Sequence, residues 1–208
     1  MTPYSLVREF HTVFGLPDRV NEPLPSFDDD DGRRLRLLRQ SLLAEEVEEL
    51  VSAIEDNSRA PEDRMVAAAD ALGDIVYIAC GTALAYGFEL GETLVTNEEI
   101  ELGDYLDFLE SHIRVWGAYV RYCRAEIASD QAAIKQALQE LIKNVNSMAR
   151  SGGIPLDEVF AEIHRSNMSK LDPDTGKPIY RDDGKVLKGR NYMPPDIAGV
   201  MKRLGRLP

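Results

Sequence analysis

Apolar residues recur at helical spacing along most of the chain, and this pattern predicts an all-α protein. A short amphipathic helix comes first and ends at Gly15-Leu16-Pro17. Residues 17–32, with three prolines and a run of four aspartates, are predicted to form a loop. A long helix with a broad apolar face follows, from about Arg33 to Asp56. The aspartates just before it suit the positive end of its dipole.

The next predicted helix runs from Pro61 to about Phe88 and is apolar on nearly all sides. Its charged residues beyond the first turn are Asp70 and Asp74. A membrane span is the rival interpretation, because the segment exceeds the roughly 20 residues that cross a bilayer. We favour the central, buried helix of a bundle, since two acids interrupt the segment and amphipathic helices flank it.

The second half of the chain predicts two more helices, over residues 98–128 and 130–150, with Asp130 as the cap between them. Another helix begins at Pro155 and ends at about Ser169. Residues 179–187 have the turn chemistry of a small β-hairpin, and a short basic tail follows. The predicted fold is therefore a helical bundle in a single domain over 1–208.

Composition and charge exclude several classes of protein. The chain is 44% hydrophobic and 29% charged, as globular proteins are. Its net charge of −12 opposes binding to the phosphate backbone of duplex nucleic acid. The two cysteines, Cys80 and Cys123, lie far apart, so neither a disulfide scaffold nor a thiolate metal site is expected. With no signal peptide pattern at the N-terminus, we expect a cytoplasmic protein.

The charge is unevenly distributed along the chain. Residues 164–208 contain ten Lys and Arg against five Asp and Glu, so the rest of the chain is strongly acidic. An acidic body with a basic tail suits a protein that handles cations and anions together, as metal–phosphate enzymes do. Simple attraction between the two parts of one domain explains the asymmetry equally well.

Two carboxylate motifs carry the candidate chemistry. On the first long helix, Glu45, Glu46 and Glu49 are spaced to lie near one face, while Glu48 points away and is assigned to the surface. On the next helix, Asp70 and Asp74 project from a surface predicted to be buried.

Each motif has a simpler explanation when taken alone. The glutamates suit a solvated helix face, and the aspartates could pair with the arginines of the preceding helix: Arg33, Arg34, Arg36 and Arg39. Together, however, five acids on two neighbouring helices require a cation, because unpaired buried carboxylates are costly. Oxygen ligands without Cys or His favour Mg²⁺, with Mn²⁺ as the alternative.

The ordered motifs resemble those of the all-α nucleoside triphosphate pyrophosphatases, the MazG-like and phosphoribosyl-ATP pyrophosphohydrolase-like superfamily. That superfamily has Glu-Glu-x-x-Glu on one helix and Glu-x-x-Asp on the next. The first half matches as Glu45, Glu46 and Glu49, and the second departs at Ala71, where Asp70 takes the neighbouring place.

The resemblance extends to other segments and covers about 1–91 and 152–198. It includes Val7 to Gly15, Val159 to Lys170, and the carboxyl-terminal motifs Gly176-Lys-Pro, Asp183-Gly-Lys-Val-Leu-Lys-Gly189 and Tyr192-x-Pro-Pro. Residues 92–151 look like an inserted helical hairpin, and 171–208 form the basic loop and hairpin tail.

The resemblance implies Mg²⁺-dependent hydrolysis of a nucleoside triphosphate to the monophosphate and pyrophosphate, as in housecleaning of the nucleotide pool. It implies Glu45, Glu46, Glu49, Asp70 and Asp74 as metal ligands and Glu46 as the base. Candidate nucleotide-binding residues are Asn167, Lys170, Lys185, Lys188 and Tyr192.

Other functions stay open at this point. One alternative is a non-catalytic helical interaction or regulatory protein, and another is phosphoribosyl-ATP as the substrate. We expect a homodimer or higher homo-oligomer that binds no membrane and no duplex nucleic acid. Trp116 is assigned to the core, since an aromatic residue at helical spacing is usually buried.

Overall fold

The computed structural model describes residues 2–90 and 105–207. Within these ranges the chain forms seven helices and no strand, which confirms the predicted all-α fold. The helices are α1 (Pro3–Val13), α2 (Asp30–Glu55), α3 (Pro61–Tyr86), α4 (Tyr105–Ile127), α5 (Gln131–Ser151), α6 (Leu156–Met168) and α7 (Ile197–Arg203).

The start of α2 is fixed by the aspartate run that precedes it. Asp29 is the N-cap and accepts a hydrogen bond from the Gly32 amide at 2.7 Å, and the next two aspartates occupy the first turn. A side chain at Gly32 would place Cβ 1.8 Å from the carbonyl oxygen of Ser26, so the loop folds tightly back on the helix. These aspartates therefore lie at the positive end of the helix dipole, where the sequence predicted them.

Helix α3 is the central element of the bundle. It packs against α1, α2, α5, α6 and α7. A Cβ on Gly73 would lie 2.3 Å from Ile163 Cδ1, so the missing side chain lets α6 approach closely. Among the described residues, α3 is the one helix long and apolar enough to span a membrane, and 67% of its most apolar window is buried inside the bundle. That burial favours the predicted core helix.

Helices α4 and α5 form an antiparallel hairpin that packs on the bundle, with α4 against α2 and α5 against α3. Asp130 caps α5 by accepting from the Ala133 amide at 3.0 Å, as predicted. The earlier part of the predicted hairpin, residues 92–104, lies outside the described residues. That residues 92–151 are an insertion stays a prediction.

A buried carboxylate links this hairpin to α3. Glu126 is fully buried and accepts hydrogen bonds from the hydroxyls of Tyr86, at 2.5 Å, and Tyr122. Burial raises the pKa of the Glu126 carboxyl. The three side chains join α4 to the end of α3.

The predicted β-hairpin is wrong as a pair of strands. Residues 179–187 form one isolated antiparallel bridge, Tyr180 with Val186, around a turn that contains Gly184 at φ +91°. Pro178 provides no amide to extend the ladder, and the turn residues lie largely exposed. The Tyr180 hydroxyl also donates to the Phe14 carbonyl, so a contact with the bundle fixes the segment in addition to the bridge.

Two further predictions differ from the structure. Helix α7 lies in what was predicted to be tail, where Asp196 caps it by accepting from the Gly199 amide at 2.9 Å. Trp116 is 43% exposed on α4, not in the core. The buried face of α4 is provided instead by Val115, Ala118 and Tyr122.

Candidate functional site

A cavity of about 350 Å³ opens between α1, α2, α3, α6 and the carboxyl-terminal segment. All ten predicted site residues line it, although they come from distant parts of the chain. They are Glu45, Glu46, Glu49, Asp70, Asp74, Asn167, Lys170, Lys185, Lys188 and Tyr192. Their individual roles stay predictions.

The packing of α2 on α3 brings the two carboxylate motifs together. Glu45 and Glu46 are partly buried on α2, and Glu49 lies one turn further along at the exposed rim. Glu48 is exposed and does not line the cavity, in agreement with its predicted surface position.

The electrostatics of the cluster strongly favour protonated carboxyls or a bound cation. Burial, together with the charges of Asp74, Glu49, Asp70 and Glu45, raises the pKa of Glu46 to about 8. Burial and the neighbouring Asp70 raise the pKa of Asp74 to about 7. Burial and Glu49 raise the pKa of Asp70 to about 6. Without a cation, part of the cluster is therefore protonated near neutral pH, and a bound cation would replace those protons.

The residues fit a divalent cation by their chemistry. Oδ1 of Asp70 is buried without a hydrogen-bond partner, so a ligand oxygen is already desolvated. Within the described ranges no three acidic, His or Cys side chains are gathered as a ready-made metal cluster. The carboxylates around the cavity would have to move to coordinate one ion together.

The rival interpretation of the aspartates, pairing with arginines of α2, finds no support in the described residues. Arg39 is buried and donates to the Thr82 hydroxyl at 2.9 Å and to the Ile78 carbonyl at 2.6 Å. Arg39 therefore fixes α2 to α3, and among the described ion pairs none joins an arginine of α2 to Asp70 or Asp74.

Three lysines face the carboxylates from the opposite wall. Lys185 forms an ion pair with Glu45. Lys170 is partly buried, and desolvation lowers its pKa while nearby Asp74 opposes that change. The ammonium group of Lys188 lies 4.7 Å from the centre of the Tyr192 ring, a cation–π contact.

Behind the cavity, a row of side chains that the sequence did not reveal supports Asn167. Asn167 is buried beside Tyr77, whose hydroxyl lies 3.1 Å from His164 Nδ1. His164 Nε2 lies 3.4 Å from a carboxylate oxygen of Glu9. Because Tyr77 also stacks on Phe160, its ring is fixed against α6 and holds Asn167 at the cavity wall.

The far end of the cavity is apolar but contains two buried polar groups, His11 and Arg39. His11 Nδ1 lies 2.7 Å from the Pro17 carbonyl, which only accepts, so Nδ1 donates and Nε2 is an acceptor. A Cβ on Gly81 would lie 2.9 Å from Nε2 and 2.8 Å from Arg39 Nη2, so a side chain there would displace His11 and Arg39. No sequence motif distinguishes these residues from ordinary core.

His11 is expected to make the protein sensitive to acid. Burial and the Arg39 charge lower the pKa of His11 to about 4. Between pH 6.5 and 4 the unfolded chain therefore binds a proton that the folded protein does not, and the free energy of unfolding falls as the pH is lowered. That loss amounts to at most roughly 3 kcal/mol. Urea unfolding of His11→Gln should show a smaller loss of stability from pH 7 to 4.5 than the wild type. His112→Gln, on α4, is the matched control, and parallel curves for wild type and His11→Gln would refute the assignment.

Comparison with known proteins finds a family similarity over the first half of the chain. Residues 7–99 match the phosphoribosyl-ATP pyrophosphohydrolase family. The predicted resemblance to the all-α nucleoside triphosphate pyrophosphatase superfamily is confirmed. The matched segment contains α2, α3 and all five candidate carboxylates, so the superfamily region is the one that forms the acidic wall of the cavity.

A viral protein is similar over most of the chain. It is the uncharacterized protein L479 of Acanthamoeba polyphaga mimivirus, 27% identical over 187 residues that cover 82% of this chain and 71% of the relative. The superfamily match indicates a pyrophosphohydrolase, a hydrolase that cleaves a phosphoric anhydride. Members of this superfamily typically use divalent metals.

Proposed function

We propose that the protein hydrolyses a nucleoside triphosphate to the monophosphate and pyrophosphate with the help of Mg²⁺, for which Mn²⁺ can substitute. The observation that carries the proposal is the composition of one cavity: five carboxylates on two helices face three lysines, and an apolar end lies beyond them. A metal–triphosphate needs this combination of anionic, cationic and apolar surfaces.

The residues proposed to hold the metal are Glu45, Glu46, Glu49, Asp70 and Asp74. When bound, the metal supplies positive charge that stabilises the phosphate oxygens as negative charge develops on them. Glu46 is the proposed base and accepts a proton from the attacking water. Its raised pKa suits that role, because a base works best when its pKa lies near the operating pH.

The opposite wall is proposed to bind the phosphates. Lys170 and Lys188 face the carboxylates and lie within reach of phosphate oxygens that bridge the two walls. Asn167 adds an amide donor, and Tyr192 is held by its contacts with Lys188 and with the Ser166 hydroxyl at 3.3 Å. These groups orient the chain of phosphates for attack, which is most of what phosphoryl-transfer catalysis requires.

The apolar end is proposed to take the base and sugar. Its walls include Phe10, Leu35 and Leu38, which would exclude water from a flat ring. His11 offers an acceptor and Arg39 a donor at this end. A nucleobase edge that carries a hydrogen-bond donor beside an acceptor would pair with both His11 and Arg39.

The wider setting is also proposed. The burial of α3 supports a protein that does not enter membranes. The exposed apolar side chains Ile113, Trp116 and Ile127 on α4 support a homodimer or higher homo-oligomer. The acidic composition opposes binding of duplex nucleic acid, and a cytoplasmic role in nucleotide-pool housecleaning is consistent with this substrate class.

The decisive assay is pyrophosphate release from a panel of ribo- and deoxynucleoside triphosphates. Phosphoribosyl-ATP belongs in the panel because the matched family bears its name. We expect turnover of at least one substrate with Mg²⁺ or Mn²⁺, complete loss with EDTA and recovery when the metal is restored. Absence of turnover on every substrate with either metal would instead favour the non-catalytic alternative.

A further inference from the structure

The carboxyl-terminal segment places its lysines among the carboxylates proposed to bind metal. Lys185 pairs directly with Glu45 through Nζ and Oε2. The charges of Lys170 and Lys188 act on Asp74, and that of Lys188 acts on Asp70 as well. In the described protein, these ammonium groups therefore partly compensate five carboxylates.

An ammonium group and a divalent cation compete for the negative charge of Glu45, because each weakens the attraction of the carboxylate for the other. Oε2 of Glu45 is engaged by Lys185 and is one of the oxygens that the metal would need. The pair is partly exposed on both sides, so its net stabilisation is small and a divalent ion can displace the ammonium. Lys185 then lies beside the cavity without its carboxylate partner.

The turn that bears Lys185 is anchored independently of that ion pair. The Tyr180 hydroxyl donates to the Phe14 carbonyl at the end of α1, and Gly184 lies against Leu38 of α2. Its backbone bonds, from the Arg181 amide to the Lys185 carbonyl and from the Leu187 amide to the Ile179 carbonyl, are both 2.8 Å long. A released Lys185 therefore stays at the cavity.

We propose that Lys185 is an internal counter-ion that is exchanged during substrate loading. In the metal-free protein it neutralises Glu45, and when a divalent cation occupies the carboxylates, Lys185 transfers its ion pair to a phosphate oxygen of the substrate. The inference rests on the proposed function, since it assigns the released ammonium group to the triphosphate. No covalent bond changes in the exchange.

The exchange predicts opposite effects of one substitution on two binding reactions. Lys185→Met removes the charge but keeps the apolar stem of the side chain. Calorimetric titration with Mg²⁺ alone should show about threefold tighter binding, because the competitor at Glu45 is gone. Titration of the Mg²⁺-loaded protein with an α,β-methylene nucleoside triphosphate should show roughly tenfold weaker binding, because a charged hydrogen-bond donor is lost.

The matched control is Lys177→Met, an exposed lysine of the same segment that does not line the cavity. It changes the net charge equally and should alter neither titration. Unchanged or weaker Mg²⁺ binding by Lys185→Met, or an equal gain by Lys177→Met, would overturn the proposal. An undiminished affinity for the triphosphate analogue would overturn the transfer to phosphate.

Hydrogen exchange of the wild type provides a test without any variant. Mg²⁺ alone should leave amide exchange in residues 179–187 nearly unchanged, because the turn is anchored independently of the Lys185 ion pair, and the triphosphate analogue should slow it. Slower exchange with Mg²⁺ alone would contradict the proposal. These binding readouts are independent of turnover, so an inactive protein that shows the reciprocal effects would reject the proposed function but not the exchange.

Discussion

Glu49→Gln is expected to reduce pyrophosphate release by roughly 100-fold or more, whereas Glu48→Gln leaves it within about twofold of the wild type. The two residues are neighbours on α2 and both are exposed. Each variant removes one carboxylate from the wild type. Glu49 lines the cavity and its charge acts on Glu46 and Asp70, while Glu48 lies outside. The measurement is kcat at saturating Mg²⁺ and substrate.

Comparing these two variants distinguishes a role of Glu49 in the cavity from a general effect of negative charge on α2. Both variants reduce the negative charge of the same helix equally, so a helix that merely presents a solvated acidic face would respond alike to both. Equal activity of the two variants, at any level, would argue against Glu49 as a metal ligand.

Glu46→Gln is expected to lower kcat by about 10²–10⁴-fold and yet make the metal-free protein more stable at pH 8. The folded-state pKa of Glu46 lies near 8, above that of an ordinary glutamate, so the free energy of unfolding declines as pH rises from about 5 to 8. Glutamine cannot ionise, so the free energy of unfolding of the variant does not decline in this way. Each kcal/mol recovered would raise the melting temperature by about 2–4 °C in a chain of this size.

The pH dependence distinguishes this effect from better packing. In EDTA, the stability gain of Glu46→Gln should be large at pH 8 and nearly vanish at pH 5, where the wild-type carboxyl is already protonated. Added Mg²⁺ should stabilise the wild type more than the variant. A variant that is equally stable with the wild type at both pH values would show that Glu46 is not held under electrostatic strain.

The sequence was sufficient to predict the helices before α7, and the glutamates of the acidic wall, because both depend on local spacing. Residues three and four apart share a helix face, so the convergence of Glu46 and Glu49 could be derived directly. That Asp70 and Asp74 would face them was the preferred of two interpretations, because pairing with the arginines of α2 also offered a partner for buried carboxylates. The roles of these groups still await the experiments above.

The failures have a common physical cause, since each depends on contacts distant in the chain. Trp116 lies on the exposed face of α4 because Val115 and Tyr122 occupy the buried one, and spacing alone did not determine which face packs. Residues 179–187 have the turn residues of a hairpin, but their pairing stops at a single bridge, and contacts with α1 and α2 also hold them.

The apolar end of the cavity was missed for a different reason. His11 and Arg39 are single polar residues on amphipathic helices, with no spacing that indicates a site. Their significance arises only where α1 and α2 meet over Gly81, which has no side chain to separate them. Such a site is visible in the tertiary structure alone.

The account depends on divalent cations bound jointly by α2 and α3. Crystals grown with Mn²⁺ and measured at its absorption edge would locate the ion directly. We predict an anomalous peak in the cavity, within bonding distance of at least one glutamate of α2 and of Asp74 on α3. An anomalous peak elsewhere, or none at millimolar Mn²⁺, would contradict the central claim.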